Sequence, residues 1–309
     1  MSGRTSSHVP LPGVALLILV CLIWGGNMVS IKFSNAGVPP MAAATIRNTS
    51  AALCLWGLAL AMGRSVWMKG TDLKHGIIIG ILFGLDFLFL YWGTVFTVAS
   101  RAIIFLYTHS IWAAIGAHLF LQGDRLTPIK TSGLVLAFIG VISVFGVRAA
   151  DLPPTYWIGD ILEVIAALFW AATTVYIKKV ASARPIDHYQ TLFSQLFYSI
   201  PVLIAGWLLL DLGKPLVLTT PVLGALLYQS LVVAFFSYLL WFWMIHTYAV
   251  SRLAAFIFLA PLFGVILGGI LQGDPLPLQL WLGLGCVAGG IYLVNKPQYR
   301  RTDKSRHRV

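Results

Sequence analysis

Apolar residues in this chain fall into long, nearly unbroken runs, and polar residues collect in the short joints between them. About 20 mostly apolar residues suffice for an α-helix to cross the hydrocarbon core of a bilayer. Ten runs of that kind are present. They predict helices α1 (12–33), α2 (40–62), α3 (75–96), α4 (100–121), α5 (129–147), α6 (157–180), α7 (187–210), α8 (219–246), α9 (250–272) and α10 (278–295). The joints carry turn chemistry: NAGVPP at 35–40, GDRLTP at 123–128, DLPP at 151–154, ARPID at 183–187 and GDPLP at 273–277. The period-two alternation of a transmembrane barrel is absent. The pattern predicts an all-α integral membrane fold of ten transmembrane helices.

The runs repeat. LQGD occurs at 121–124 and again at 271–274, each time where an apolar run ends. ASRAIIFLYTHSIWAAIGAHLFLQGD (99–124) aligns with VSRLAAFIFLAPLFGVILGGILQGD (250–274), and LIWGGNMVSIK (22–32) aligns with LFWAATTVYIK (168–178). SGLVLAFIGV (132–141) aligns with LGLGCVAGGI (282–291), matching Gly133 with Gly283 and Gly140 with Gly290. Two five-helix repeats are expected, 12–148 and 156–296, flanked by a short N-terminal segment (1–11) and a basic tail (297–309). Five is odd, so the second repeat enters the membrane inverted relative to the first. Asp124 and Asp274 then face opposite sides and cannot form one site. They are expected to cap the starts of α5 and α10 or to act as paired hinges.

Composition agrees with lipid as the solvent. Charged residues are 10% and hydrophobic residues 59% of the 309, with a mean hydropathy of +0.86, against about 25% charge in soluble domains. The net charge of +11 does not point to nucleic acid, because six of the 21 Lys and Arg residues lie from Lys296 to Arg308, a segment suited to anionic lipid. With the N-terminus in the cytosol, the inner side receives sixteen of them: Arg4, Arg64, Lys69, Lys74, Arg125, Lys130, Lys178, Lys179, Arg184, Arg252 and those six. The outer side receives four, Lys32, Arg101, Arg148 and Lys214, and Arg47 lies within α2. This asymmetry predicts an inner (plasma) membrane protein with both termini cytosolic. The first run lacks a clear small-residue cleavage site and is taken as a retained helix. Cys21, Cys54 and Cys286 all sit in apolar runs and read as buried small hydrophobes.

Ionisable residues inside a membrane are costly and default to function. Asp86 and His109 lie near the midplane of α3 and α4, while Arg47 in α2 and Glu163 in α6 lie about 10 Å below the outer face, taking 1.5 Å per residue. Asp86 suits a substrate amine or a proton, with a helix-packing hydrogen bond as the alternative. His109 can titrate near neutrality or bond a neighbouring helix. Arg47 and Glu163 suggest a structural ion pair, an interfacial cap or a gate. Lys32, Lys178 and His118 are expected to snorkel at helix ends. Trp24 and Asn27 share a face of α1, as Trp170, Thr173 and Thr174 do in α6 and Tyr238 and Trp241 in α8. Tyr91 and Tyr107 add aromatics from α3 and α4. Such walls suit a zwitterion with an apolar or aromatic side chain, and each aromatic equally suits packing. Small residues spaced for close helix contact are Gly76, Gly80 and Gly84, Gly264 and Gly268, and Gly285 and Gly289.

LIWGGNMVSIK in α1, AAATIRNTSAA with Arg47 in α2, and the two S-R…LQGD helices followed by glycine-rich helices resemble the drug/metabolite transporter superfamily, specifically its EamA-type ten-helix exporters, over about 12–296. Members commonly have Gly-Glu after helices 4 and 9, where this chain has Gly-Asp, and often a proline near the middle of both. Here α9 has Pro261, whereas α4 has Ser110 or Ile111. The resemblance implies export of amino acids or related metabolites by alternating access, through a cavity lined by helices 1, 3, 4, 6, 8 and 9. Inverted repeats with a site at their interface are a transporter architecture in their own right. No Walker, HExxH, GxSxG or cysteine-cluster signature is present, so no enzyme activity, metal or cofactor is expected. The expected partners are a small-molecule substrate and the lipid bilayer, with no nucleic acid, and the expected state is a monomer or weak homodimer. A multidrug or cation exporter, an uptake permease and a non-transporting lipid-handling enzyme or receptor are the alternatives.

Overall fold

A computed structural model of the chain describes residues 9–97, 99–145, 154–272, 276 and 278–296. Asp274, Arg4, Arg148 and the basic tail after Lys296 lie outside the described residues. Helices occupy all ten predicted runs: α1 (Leu11–Asn35), α2 (Pro40–Ala61), α3 (Leu73–Phe96), α4 (Ala99–Leu106 and His109–Phe120), α5 (Pro128–Phe145), α6 (Tyr156–Ala183), α7 (His188–Leu210), α8 (Thr220–Thr247), α9 (Val250–Ile257 and Leu259–Gln272) and α10 (Leu278–Asn295). Among the described residues, nine are long and apolar enough to span a bilayer. The tenth, α2, has the length but carries Thr45, Arg47, Asn48, Thr49 and Ser50 in its first half. It turns Arg47 and Asn48 inward, leaving them 2% and 0% exposed. Outward-facing positions are large and apolar, as at Leu209, Trp281 and Leu282. In water so much apolar surface would drive aggregation, whereas in lipid it is matched.

The N side, where α1 begins, and the far side, where it ends, are related by the repeat. The packing is unchanged when each helix is exchanged for its counterpart five places on. Contacts of α3 with α6 and α7 correspond to those of α8 with α1 and α2, α4 on α6 corresponds to α9 on α1, and α2–α7 and α5–α10 map onto themselves. In the α5–α10 pair, a Cβ on Gly133 would lie 2.7 Å from the Gly290 carbonyl oxygen, and one on Gly140 would lie 2.7 Å from that of Gly283. Residues 133 and 140 therefore meet 290 and 283 in reverse order. Equivalent helices run antiparallel, so the second repeat is inverted. The expected Gly285 and Gly289 stripe is not the contact: Gly285 meets nothing within 4 Å, and Gly289 meets only Leu136. The face one step round α10 packs instead.

Backbone-to-backbone approach leaves no room for a methyl group at these crossings. Gly140→Ala should lower stability by about 1–3 kcal/mol through overpacking. Gly57→Ala, in an α2 position with nothing within 4 Å, should be neutral or stabilising by helix propensity. Thermal unfolding of the two variants in detergent checks this, and equal melting temperatures would refute the crossing.

α4 and α9 both break midway. In α9 the break at Phe258 precedes Pro261, which has no N–H to give the ladder. In α4 the break falls at the equivalent Tyr107 and Thr108 without a proline. There the Thr108 hydroxyl donates to the Phe105 carbonyl at 2.5 Å, and the Thr108 amide bonds the same oxygen at 3.2 Å. Side-chain capture of a ladder carbonyl bends a helix by another route. The middle of α8, Tyr228–Ser237, is a π-helix.

Asp124 does not cap α5. The α5 amide at Lys130 bonds Thr127 Oγ1 at 3.4 Å. Asp124 reaches across to α9, accepting from the Ser251 amide at 3.0 Å and from the Ser251 hydroxyl, with Lys130 Nζ at 3.4 Å. The α9 N-cap, Ala249, has no side-chain acceptor, so a loop of the first repeat supplies one for the second.

Candidate functional site

A cavity of about 270 Å³ lies between the repeats near mid-depth. Its aromatic wall forms because α1, α6 and α8 each bring a tryptophan to the same level. The Trp24 ring lies 6.1 Å from Trp170, 5.3 Å from Trp241 and 6.0 Å from Tyr238, centroid to centroid. Its indole N–H donates to Ser237 Oγ at 2.9 Å, and that hydroxyl donates to the Val233 carbonyl at 2.6 Å. The π-helical stretch of α8, whose wider turn displaces backbone groups from their usual partners, thereby fixes the Trp24 ring. Tyr107 enters at the α4 break and meets Trp170 edge-on at 6.2 Å.

The polar lining is sparse and charged. Asp86 of α3 is 3% exposed, and its Oδ1 has no hydrogen-bond partner. Arg47 of α2 also lines the cavity. Its Nε donates to Asn48 Oδ1 at 3.1 Å, Asn48 is anchored to Ser199 Oγ of α7 at 2.9 Å, and its Nη2 has no partner. The guanidinium lies 4.4 Å above the Phe87 ring and 5.8 Å from that of Tyr238. Asn27 leaves its Oδ1 unpartnered. Thr173 and Thr174 spend their hydroxyl protons on the carbonyls of Phe169 and Trp170. Tyr91 completes the lining from α3.

Of the expected site residues, Trp24, Asn27, Asp86, Tyr91, Tyr107, Trp170, Thr173, Thr174, Tyr238 and Trp241 all face this cavity. His109 does not. The α4 break turns Tyr107 inward and sends His109 behind Trp170, where the two rings stack 3.6 Å apart at 4°. It borders a much smaller void with Val250 and Ala254 of α9. Arg47 and Glu163 form no ion pair, because α3 stands between them: Arg47 lies on Phe87, whereas Glu163 packs on Gly93. Lys178 does not snorkel; it is 4% exposed and donates to the His246 carbonyl at 3.0 Å. Among the described residues α9 contributes none to the cavity lining, while α2 and α7 contribute Arg47 and Gln195. Gln195, Phe83 and Phe87 were not among the expected residues. Phe83, Phe87, Tyr91 and Thr94 recur every three to four residues on α3, a polar-aromatic stripe visible in the sequence.

The lining reaches the far-side ends of α1, α3 and α4 at Ile31, Thr94 and Ala102, and stops on the N side at Ile177 and Ile245. Below that floor, bonds join the repeats: His75 to Tyr176 at 2.6 Å, Arg184 to Asp72, and Asp124 to Ser251. Such a central cavity at the interface of inverted repeats, closed on one side, is the geometry of a carrier.

The profile of the EamA-like transporter family matches residues 11–146 and again residues 157–296. The chain belongs to the EamA-like transporter family. Its relatives include an uncharacterized transporter of Bacillus subtilis, YoaV, 23% identical over 289 residues that cover 90% of this chain and 94% of that protein. A probable amino-acid metabolite efflux pump of Escherichia coli is 26% identical over 292 residues, covering 90% and 93%. A protein of known crystal structure superimposes with a TM-score of 0.78 at 18% identity, over 91% of this chain and 96% of its own. This EamA-like protein is accordingly a multi-pass membrane transporter.

Proposed function

We propose that this EamA-like transporter exports small zwitterionic amino acids with apolar or aromatic side chains, or closely related metabolites, across the inner (plasma) membrane. The observation that carries this reading is that Asp86 and Arg47 line one aromatic cavity, near enough for the Arg47 charge to act on Asp86, while Asp86 Oδ1 and Arg47 Nη2 are left without hydrogen-bond partners. A carboxylate matches an ammonium, and a guanidinium matches a carboxylate in planar, bidentate fashion. Trp24, Trp170 and Trp241 give the side chain rings to pack on. An organic cation would satisfy Asp86 but would meet Arg47 with like charge. The name carried by the Escherichia coli relative points the same way. The excess of Lys and Arg on the N side supports cytosolic termini, which makes the present far-side-accessible form outward-facing. Rocking of the repeats about the cavity would open the N side by parting the bonds below it. The transporter acts, in this proposal, on a small-molecule substrate within the bilayer as a monomer or weak homodimer.

The purified protein should be stabilised against thermal unfolding by L-phenylalanine. Its methyl ester and its N-acetyl derivative, each lacking one charge, should bind at least about 10-fold more weakly, since a hydrogen bond to a charged group contributes about 1.5–3 kcal/mol. Equal binding of all three would refute zwitterion recognition.

A further inference from the structure

We infer that Glu163 is a proton-binding site, reached from the far side past Asp160 and leading to Asp86, through which proton entry drives substrate exit. Glu163 has no exposed surface, and neither carboxylate oxygen has a hydrogen-bond partner. A buried acid kept for structure alone would be given donors, because an unsatisfied buried carboxyl is costly. Asp160, one turn away on the same helix, shows the contrast: it accepts from Thr97 Oγ1 at 3.1 Å and from the Arg101 guanidinium. Space for Glu163 is also built in. A Cβ on Gly93 of α3 would lie 2.8 Å from Glu163 Oε1, so a larger residue there would push the carboxyl group out of its present place.

These acids form a line. Asp160 and Glu163 lie three residues apart on α6, and Asp86 and Gly93 lie seven apart on α3, so each pair shares one face of its helix. The faces oppose each other, since Thr97 meets Asp160 and Gly93 meets Glu163. From the far side inward the order is Asp160, Glu163, then Asp86, about 10 Å from Gly93 along α3 at 1.5 Å per residue. The charges that act on Glu163 are Asp86 from α3 and Asp160 from its own helix. From α4, Arg101 is bound to Asp160 and His109 is stacked on Trp170. From α8, Tyr238 faces the cavity and His246 bonds Thr191 near the N side. From α9, Arg252 points to the Asn295 carbonyl at the same side. No cation among these satisfies the Glu163 carboxyl.

The proposed cycle rests on the amino-acid reading of the cavity. A proton from far-side water forms an O–H bond on Glu163. That bond breaks as one forms on Asp86 when the substrate ammonium leaves, across water that enters between α3 and α6, because Glu163 lies behind Gly93 and does not itself line the cavity. On the N side, an incoming ammonium displaces the proton from Asp86 to water. One proton enters for each substrate that leaves, and nothing is oxidised or reduced.

Proteoliposomes containing the full-length protein and loaded with L-phenylalanine test this. Wild type should catalyse phenylalanine exchange at equal pH, and a pH gradient should drive several-fold accumulation with a matching signal from an entrapped pH dye. Glu163→Gln should keep exchange near wild type and lose both gradient-driven accumulation and the dye signal. Glu163→Gln retaining both, or wild type exchanging without moving protons, would overturn the inference and leave the substrate reading intact. If wild type fails to exchange phenylalanine, the substrate reading falls. Infrared difference spectra between pH 5 and pH 9 then still decide Glu163. A protonated-carboxyl band that titrates in wild type, vanishes in Glu163→Gln and shifts in Glu163→Asp supports it, and a spectrum unchanged by Glu163→Gln overturns it.

Discussion

Exchanging Asp86 for asparagine is expected to weaken amino-acid binding by about 10- to 100-fold, the equivalent of one charge-assisted hydrogen bond, while leaving the protein folded. Asn has the size of Asp, and Asp86 Oδ1 has no partner to lose, so the substitution removes a charge from the cavity without opening a hole. The ligand, not the protein, should register the change. Titration of Asp86→Asn with L-phenylalanine, alongside its melting temperature without ligand, separates the two effects. Wild-type affinity would remove Asp86 from the binding site, and a collapsed melting temperature would make it a packing residue.

Trp170→Ala is expected to have the largest effect on stability, about 3 kcal/mol, the low end for large-to-small aromatic changes because the ring is only partly buried. Trp170 does three jobs at once. It packs with Trp24 at 6.1 Å, meets Tyr107 at 6.2 Å, and stacks on His109 at 3.6 Å. Its removal merges the cavity with the void beside His109 and leaves that imidazole without its stacking partner. Trp170→Phe should recover much of the stability, since a ring remains between the two spaces. Thermal unfolding of both variants checks the order wild type, Phe, Ala. An alanine variant as stable as wild type would contradict the wall assigned to Trp170.

The positions of the helices were legible from the sequence because apolar run length is a direct physical requirement of the bilayer. The inversion was legible because Gly133, Gly140, Gly283 and Gly290 repeat and five is odd. Rotation of a helix about its axis was harder. Helices apolar all round carry little azimuthal signal, which is why Gly285 and Gly289 were expected where Gly283 and Gly290 pack. The same ambiguity let Arg47 and Glu163, at similar depth, suggest an ion pair across a helix that in fact divides them. His109 failed for a different reason: the Thr108 hydroxyl breaks α4 one residue earlier and redirects the chain. Asp124 was placed at the end of a helix, but its partner in α9 is remote in sequence. The aromatic lining fared better, because Trp24 and Trp170 are equivalent positions of two halves that meet on one axis. The π-helix of α8 left no sequence trace, since a wider turn is held by tertiary contacts such as Trp24 to Ser237.

Counterflow in proteoliposomes tests the central claim most directly. Vesicles containing the purified transporter and loaded with unlabelled L-phenylalanine should take up labelled L-phenylalanine transiently above equilibrium, as a carrier with one alternately exposed site requires. Asp86→Asn vesicles prepared in parallel should show little uptake. No counterflow for phenylalanine or for any member of a broad amino-acid panel, by wild-type protein that remains folded, would contradict the account.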